Sequence, residues 1–218
     1  MRLLDLFCGA GGAAMGYHRA GFDEIVGVDI KPQPRYPFRF VQADALAFVK
    51  SFGAGFDVIH GSPPCQAYCY LAAINRKMSN YPRLIEPVRD ALQAIGHPYV
   101  IENVEAAPLR RPLLLCGSTF GLRVRRHRKF EASIHLWAPS PRHDHCAQGR
   151  SVGVYGHQGS GSLRPHSVGG PFIRAKDATD AGDALGIGWM TWRELTQAIP
   201  PAYTEYIGRQ LIAYLRAA

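Results

Sequence analysis

The stretch DLFCGAGGAA, residues 5–14, decides the fold of this chain. It continues a short apolar run that begins at Leu3, and it leads into a helix-like segment that reaches Ala20. A second apolar run, EIVGVDI, follows and carries Asp29 at its end. A strand, a glycine loop, a helix and a second strand in this order are typical of a nucleotide-binding βαβ unit.

The glycine loop alone leaves its ligand open. Residues 9–14 fit the loose pattern G-x-G-x-x-G/A, and Asp29 stands where an acid accepts hydrogen bonds from ribose hydroxyls. A dinucleotide uses such a loop, and S-adenosylmethionine uses a similar one without a pyrophosphate. A purely structural glycine turn is the third interpretation. Because this is the first loop of an alternating α/β chain, its position favours a ligand.

Strand-like and helix-like segments continue to alternate along the chain, and polar residues collect where the strands end. This order predicts an α/β fold with a doubly wound, mostly parallel, Rossmann-like sheet and a site along one edge. Glycine, serine, proline and histidine dominate between Pro139 and Gly188, which predicts a small loop-rich appendage. The predicted units are a catalytic and cofactor-binding domain at 1–137, the appendage at 138–190, and a returning C-terminal segment at 191–218, with a helix after Pro201.

The segment GSPPCQAY, residues 61–68, carries a cysteine behind two prolines at the end of an apolar strand. A chain does not need two prolines to bury a thiol, so the rigid backbone indicates that the position of the Cys65 sulfur matters. Such a thiol is a candidate nucleophile. The other cysteines considered, Cys8, Cys69 and Cys116, are interpreted as packing residues.

The composition indicates which classes of protein this chain can belong to. With 218 residues, 47% of them hydrophobic, the chain can bury one sizeable core. Five cysteines at scattered spacing argue against a disulfide framework and for a reducing cytoplasm. No apolar run long enough for a membrane span or a signal peptide is present, so neither is expected. The net charge of +8 favours a polyanionic partner.

Four segments, DLFCGAGG, GSPPCQAY, ENV and RVRRHRKF, stand in an order that resembles the cytosine-C5 DNA methyltransferase family. The resemblance covers residues 1–130 and the C-terminal end, where TQAIPPAYTEYIG is similar to the last family motif. It implies an S-adenosylmethionine-dependent methyltransferase fold, with S-adenosylmethionine as methyl donor and S-adenosylhomocysteine as product. It also implies methylation of a flipped cytosine in double-stranded DNA, with restriction-modification as the expected setting. A monomer in the cytoplasm is expected.

The resemblance assigns the catalytic roles residue by residue. Cys65 matches the nucleophile that adds to cytosine C6, and Glu102 matches the acid that contacts the N3 and N4 edge. Arg128 matches the residue that contacts the base O2, and Arg126 supports it. The family pattern Q-x-R-x-R has Val124 in place of its glutamine here, which puts any hydrogen bond of that glutamine in doubt.

Two further sets of residues follow from the same resemblance. The cofactor-binding set is Asp5, Phe7, Gly9, Ala10, Gly11, Gly12, Asp29, Ile30, Asp44, Ala45, Pro63, Gln197 and Ala198. The nucleic-acid set is Gln66, Tyr68, Arg76, Lys77, Asn103, Arg123 and Arg125. Asp29 replaces the usual glutamate and Gln197 the usual asparagine. The loop at 68–81 is expected to close over the flipped base.

The segment between the arginine motif and the last motif is shorter than the family pattern, so sequence discrimination is expected to be short or relaxed. Its histidines and cysteine suggest zinc, yet their spacing fits no standard ligand pattern, and DNA contacts are the preferred interpretation. The sequence therefore predicts no metal. The residues in question are His135, His143, His145, Cys146, His157 and His166.

Other functions remain open at this point. The same chemistry could act on RNA cytosine or use another one-carbon donor. A nicotinamide-dependent oxidoreductase would use the glycine loop but leaves PPCQ and RVRRHR unexplained. A catalytically silent DNA-binding relative is disfavoured because Cys65, Glu102 and Arg128 are all present.

Overall fold

The computed structural model describes residues 1–69, 81–140, 145–156 and 172–217. The first part of the chain supplies the main sheet and three helices: β1 (Arg2–Leu6), α1 (Gly12–Ala20), β2 (Glu24–Asp29), β3 (Arg39–Gln42), α2 (Ala45–Phe52), β4 (Val58–Gly61), α3 (Ile85–Ile95), β5 (Tyr99–Asn103), β6 (Leu113–Leu115) and β7 (Arg128–Ala132). The second part supplies α4 (His145–Gln148), β8 (Ser151–Gly153), β9 (Phe172–Arg174), α5 (Ala178–Leu185), α6 (Trp192–Leu195) and α7 (Pro201–Ala217).

The main sheet has the strand order β3-β2-β1-β4-β5-β7-β6. Strands β1 to β5 are parallel to one another, whereas β7 runs antiparallel to both β5 and β6. The predicted α/β fold with a doubly wound, mostly parallel sheet is therefore confirmed. Because β7 is antiparallel, its first residue, Arg128, lies at the edge where the parallel strands end.

The sheet is buried on both faces, because successive apolar side chains of β1 point to opposite faces and each face is covered by helices. Leu3 packs in one cluster with Tyr17 of α1 and Tyr203 of α7, while Leu4 and Leu6 pack on the other side with α2 and α3. Helices α1 and α7 meet closely, since a Cβ at Gly208 would lie 2.7 Å from the Ala20 side chain. The predicted C-terminal helix thus returns to the glycine-loop helix.

The region between β7 and α7 forms a third apolar cluster around Val152, Leu185 and Trp192. Sequence periodicity missed a short parallel pair of strands here, β8 and β9, and the helix α5. The cluster includes Ala10 of the glycine loop, and Trp189 donates from Nε1 to the Ala10 carbonyl at 2.9 Å. The domain boundaries at 137 and 190 stay predictions. No helix among the described residues is long and apolar enough to cross a membrane.

One buried ion pair joins α3 to β7. Arg89 is fully buried and Glu131 is 3% exposed. Their contacts are Nε to Oε1 at 2.6 Å and Nη2 to Oε2 at 2.8 Å. The backbone N–H of Arg110 donates to the same carboxylate at 2.7 Å. This bidentate pair fixes the strand that begins with Arg128.

Candidate active site

The Cys65 turn is held by one side-chain and one backbone hydrogen bond. Asn103 donates from Nδ2 to the Pro63 carbonyl at 2.8 Å, and the Tyr68 N–H donates to the Cys65 carbonyl at 2.9 Å. Cys65 itself is half-buried. Asn103 is only 1% exposed, so its position supports the turn and does not favour the predicted contact with nucleic acid.

Two thiols meet at this turn. Cys69 donates from Sγ to Cys65 Sγ at 3.4 Å. The interpretation of Cys69 as a packing residue did not predict this contact. This contact, followed by burial, raises the pKa of Cys65, whereas the same contact lowers the pKa of Cys69 to about 7. The pair therefore loses its first proton below the ordinary thiol range. Arg128 favours that negative charge at both sulfurs.

The buried Glu102 and the half-buried Arg128 form an ion pair facing the thiols. Glu102 Oε1 lies 3.1 Å from Arg128 Nε, and Glu102 is 6% exposed. Burial raises the pKa of Glu102, although the Arg128 charge acts in the opposite direction. The guanidinium is also oriented by donating from Nη1 to the His127 carbonyl at 2.8 Å. Three of the predicted catalytic residues are thus brought together.

Arg126 lies behind this pair in a strained backbone conformation. Its φ is 39°, a backbone angle that residues other than glycine rarely adopt, and such strain is concentrated at functional sites. It is 4% exposed and donates from Nη2 to the Thr196 carbonyl at 2.6 Å, next to the predicted cofactor residue Gln197. Burial, and then the nearby Arg128, lower the pKa of Arg126 to about 10. Arg126 therefore connects the arginine motif to the last motif.

A buried chain of hydrogen bonds leads from Tyr17 to Glu102, and the sequence analysis did not predict it. The Tyr17 hydroxyl lies 2.9 Å from His60 Nδ1, and His60 Nε2 lies 2.8 Å from Ser62 Oγ. Ser62 in turn hydrogen-bonds Glu102 and lowers its pKa. Burial lowers the pKa of His60 to about 3, so its ring is neutral near pH 7. A histidine inside the apolar run FDVIH was the available signal.

The glycine loop has the backbone of a ligand cradle. Phe7, Gly9 and Gly11 have positive φ values of 57°, 49° and 84°. A Cβ at Gly11 would lie 2.6 Å from Pro37, and one at Gly12 would lie 2.4 Å from the Ile199 carbonyl oxygen. Only glycine fits at these two positions, so the loop residues are fixed by close packing as well as by the turn.

Two carboxylates lie under and beside the loop. Asp29 accepts from the Gly9 N–H at 3.1 Å and from the Lys31 N–H at 3.0 Å. Asp5 is 1% exposed and accepts from the Tyr36 hydroxyl at 3.2 Å, while its Oδ1 has no hydrogen-bond partner among the described residues. Burial raises the pKa of Asp5 to about 8; Tyr36 opposes this shift, and Asp29 adds to it. A cationic ligand would satisfy that oxygen.

The remaining predicted cofactor residues have varied surroundings. Ile30 is an exposed apolar side chain, 66% accessible, directly after Asp29. Asp44 is exposed and caps α2 by accepting from the Ala47 N–H at 2.8 Å. Gln197 is also exposed, whereas the other three positions are buried: Ala45, Pro63 and Ala198.

Three of the predicted nucleic-acid residues have protein partners: Asn103, Arg123 and Arg125. Arg123 Nη2 lies 2.5 Å from Asp180 Oδ1, and Arg125 donates from Nε to Gln148 Oε1 at 3.4 Å. Gln66 is exposed and Tyr68 is half-buried beside the Cys65 turn. Arg76 and Lys77 lie outside the described residues, as does most of the predicted closing loop at 68–81.

Comparison with known proteins matches residues 1–107 to the family C-5 cytosine-specific DNA methylase. The type II methyltransferase M1.HphI of Haemophilus parahaemolyticus is 31% identical over 117 residues, which are 46% of this chain and 32% of the relative. M.XorII of Xanthomonas oryzae pv. oryzae is 28% identical over 58% of this chain and 30% of the relative. The chain thus spans about a third of the length of these two relatives. M.AquIA of Picosynechococcus is 25% identical over 77% of this chain and 85% of the relative.

Two solved structures share the fold. A DNA modification methyltransferase encoded within an E. coli prophage has a TM-score of 0.65 and 16% identity, with 99% of each chain covered. The methyltransferase EhMeth of Entamoeba histolytica has a TM-score of 0.62 and 13% identity, covering 99% of this chain and 98% of the other.

Proposed function

Because this chain belongs to the cytosine-C5 DNA methyltransferase family, we propose that it methylates C5 of cytosine in double-stranded DNA. In this proposal S-adenosylmethionine is the donor, and Cys65 forms a transient covalent bond to C6. The observation that carries the proposal is the meeting of the Cys65 thiol, on a stiff turn, with the ion pair between Glu102 and Arg128.

The chemistry begins with a base that is a poor nucleophile at C5. Addition of the Cys65 thiolate to C6 converts the ring to an enamine, in which C5 is electron-rich. Glu102, whose pKa is raised by burial, retains its proton to a higher pH and can share it with N3 as negative charge develops. Arg128 stabilises the charge that grows at O2. Once C5 carries a methyl group, the C5 proton passes to a base such as solvent water, and the electrons of the C5–H bond expel the sulfur as a thiolate.

The residues around the glycine loop fit S-adenosylmethionine. Asp5 Oδ1 would pair with a cationic group, Asp29 would accept from ribose hydroxyls, and Ile30 would cover an adenine face. Asp44 and Gln197 are the other polar residues of the predicted cofactor-binding set. When bound, S-adenosylmethionine supplies the electrophilic methyl group that the activated C5 takes up.

The base must leave the duplex to reach a half-buried thiol. Gln66 and Tyr68 follow Cys65 on its turn and would contact the flipped nucleotide or the gap that it leaves. Arg123 and Arg125, with their protein partners, would hold phosphates at the border of the appendage.

The proposal is tested by nucleoside mass spectrometry after incubation with S-adenosylmethionine and either duplex DNA or an RNA of the same sequence. 5-Methylcytosine in DNA alone supports it. Methylation of RNA alone would transfer the chemistry to the other substrate. No product from a folded protein that binds S-adenosylhomocysteine would favour a silent DNA-binding relative, and binding of NADH instead would favour the oxidoreductase.

Removing the second thiol should shift the pH dependence of catalysis. In Cys69→Ala the contact that does most to raise the pKa of Cys65 is removed and burial is the main cause left, so the pKa of Cys65 falls. The rate follows the thiolate fraction of Cys65, which grows with pH, so the variant should be about tenfold faster at pH 7 and approach the wild type near pH 9. The measurement is single-turnover rate against pH. Cys69→Ser should lie between the two, and unchanged profiles in both would contradict a shared ionisation.

Substitution of two arginines of the basic segment should change different quantities: kcat for Arg128 and DNA affinity for Arg123. Arg128→Ala removes a group that acts on the developing charge, so kcat should fall on the order of 100-fold with a small change in DNA affinity. Arg123→Ala should instead weaken DNA binding and reduce the salt dependence by about one unit of slope. Asp180→Asn is the matched control, since it removes the partner of Arg123 and keeps the cation. A larger kcat defect in Arg123→Ala would overturn the assignment of roles.

A further inference from the structure

Three metal-ligating side chains converge outside the proposed catalytic centre. Cys116, His127 and His145 each offer one ligand atom, and these atoms all lie within 4.8 Å of one another. Cys116 Sγ is 3.3 Å from His145 Nε2, and the two imidazole rings lie side by side with centroids 5.3 Å apart. Cys116 is buried, and both histidines are half-buried.

The three ligands come from three separate segments. Cys116 directly follows β6, His127 stands between the catalytic Arg126 and Arg128, and His145 opens α4 in the appendage. No spacing pattern in the sequence relates these positions. The sequence grouped His145 with other histidines of the appendage instead, and it predicted no metal.

We propose that Cys116, His127 and His145 bind a zinc ion that ties the arginine motif to the appendage. One thiolate and two imidazoles are a ligand set that zinc prefers over magnesium or calcium. In a tetrahedral zinc site a sulfur and a nitrogen ligand lie about 3.3–3.6 Å apart, given the usual bond lengths. The Cys116–His145 contact already has that spacing, and the ligand atom of His127 lies within 4.8 Å of both, so the three groups can bind one ion.

An acid orients one of the ligands. Glu105 Oε2 lies 3.4 Å from His127 Nδ1. A carboxylate on one imidazole nitrogen is the usual support for a histidine that binds metal through the other, which assigns Nε2 of His127 as the ligand atom. Ser118 Oγ lies 3.1 Å from Cys116 Sγ and would remain a hydrogen-bond partner of the thiolate.

The placement gives the metal a positioning function. The His127 carbonyl accepts a hydrogen bond from Arg128, and Gln148 of α4 donates to the carbonyls of Leu122 and Val124 at 2.8 and 3.0 Å. A metal that joins His127 to α4 would fix the arginine motif at its centre. The ion does not contact the substrate in this proposal, so its binding is measurable without any assay of methylation.

The test is a titration of the chelator-treated, dialysed full chain with Co²⁺, followed by displacement with Zn²⁺. We expect about one Co²⁺ per chain, with the ultraviolet charge-transfer absorption of a thiolate ligand and the intense visible bands of a tetrahedral site. Zn²⁺ should remove both signals and raise the melting temperature.

Three variants identify the ligands. Cys116→Ser should lose the charge-transfer band, and His127→Asn and His145→Asn should each weaken metal affinity at least tenfold. The matched controls Cys69→Ser and His135→Asn replace the same residue types elsewhere and should bind as the wild type does. Circular dichroism checks the fold of each variant. A wild-type chain that binds no Co²⁺, or a charge-transfer band that persists in folded Cys116→Ser, overturns the proposal, and the wild-type titration decides this even if a variant fails to fold.

Discussion

Cys65→Ala is expected to lower the rate of methyl transfer by on the order of 10⁴-fold or more while cofactor binding is kept. Without the sulfur no bond forms at C6, and C5 stays a poor nucleophile whatever else surrounds the base. Residues of the glycine loop do not contact Cys65 through any hydrogen bond among the described residues, so the affinity for S-adenosylhomocysteine should be unchanged within about twofold. Single-turnover kinetics and calorimetric titration measure the two quantities.

The matched control for this variant is Cys69→Ala. It removes the same atom four residues away, from the side chain that contacts Cys65 Sγ at 3.4 Å. We expect it to retain near-normal activity at pH 9, where Cys65→Ala stays inactive. If the two variants lost activity equally at every pH, Cys65 could not be distinguished from its neighbour as the nucleophile.

The largest stability effect is expected at the buried ion pair between α3 and β7. Glu131→Ala leaves the buried Arg89 guanidinium with only the exposed Glu86 carboxylate as a partner charge, and the Arg110 N–H loses its acceptor. The cost should be about 3–5 kcal/mol of unfolding free energy. For a chain of this size that corresponds to about 6–20 °C in melting temperature. Differential scanning calorimetry measures it.

Two further variants separate burial from charge. Arg89→Met combined with Glu131→Gln removes both charges and keeps an acceptor for Arg110, so it should recover at least about 2 kcal/mol relative to Glu131→Ala. Arg209→Ala breaks the exposed pair with Glu205 in α7 and should cost less than about 0.5 kcal/mol. Equal losses in Glu131→Ala and Arg209→Ala would contradict the role of burial.

The parts of the fold that follow from local pattern were predictable. The apolar run of β1, the glycine loop and Asp29 form one continuous signal, and the helix after Pro201 has its own apolar spacing. Asp44 could be placed at a turn because an acid before an apolar helical segment caps its first turn. Three of the predicted catalytic side chains then meet because parallel strands end at one edge.

The parts that depend on contacts across the fold were not predictable. The thiol pair arises because the chain turns tightly between Cys65 and Tyr68, which brings Cys69 back to the nucleophile. Arg89 belongs to a helix whose pattern places charges outside, yet its partner on β7 holds it in the core. The strands β8 and β9 are too short to show periodicity.

The central claim is that Cys65 bonds to cytosine C6 while S-adenosylmethionine supplies the methyl group to C5. It is tested most directly with duplex DNA containing 5-fluorocytosine and S-adenosylmethionine labelled with deuterium in the methyl group. Fluorine at C5 cannot be removed by a base as the C5 proton is, because it would have to leave as a cation. The sulfur therefore cannot be eliminated, and the adduct persists. After digestion, mass spectrometry should find the labelled methyl group and the modified base on the peptide that contains Cys65, with fragmentation placing them on Cys65 and not on Cys69. An adduct on another residue, or none from active enzyme, would contradict the account.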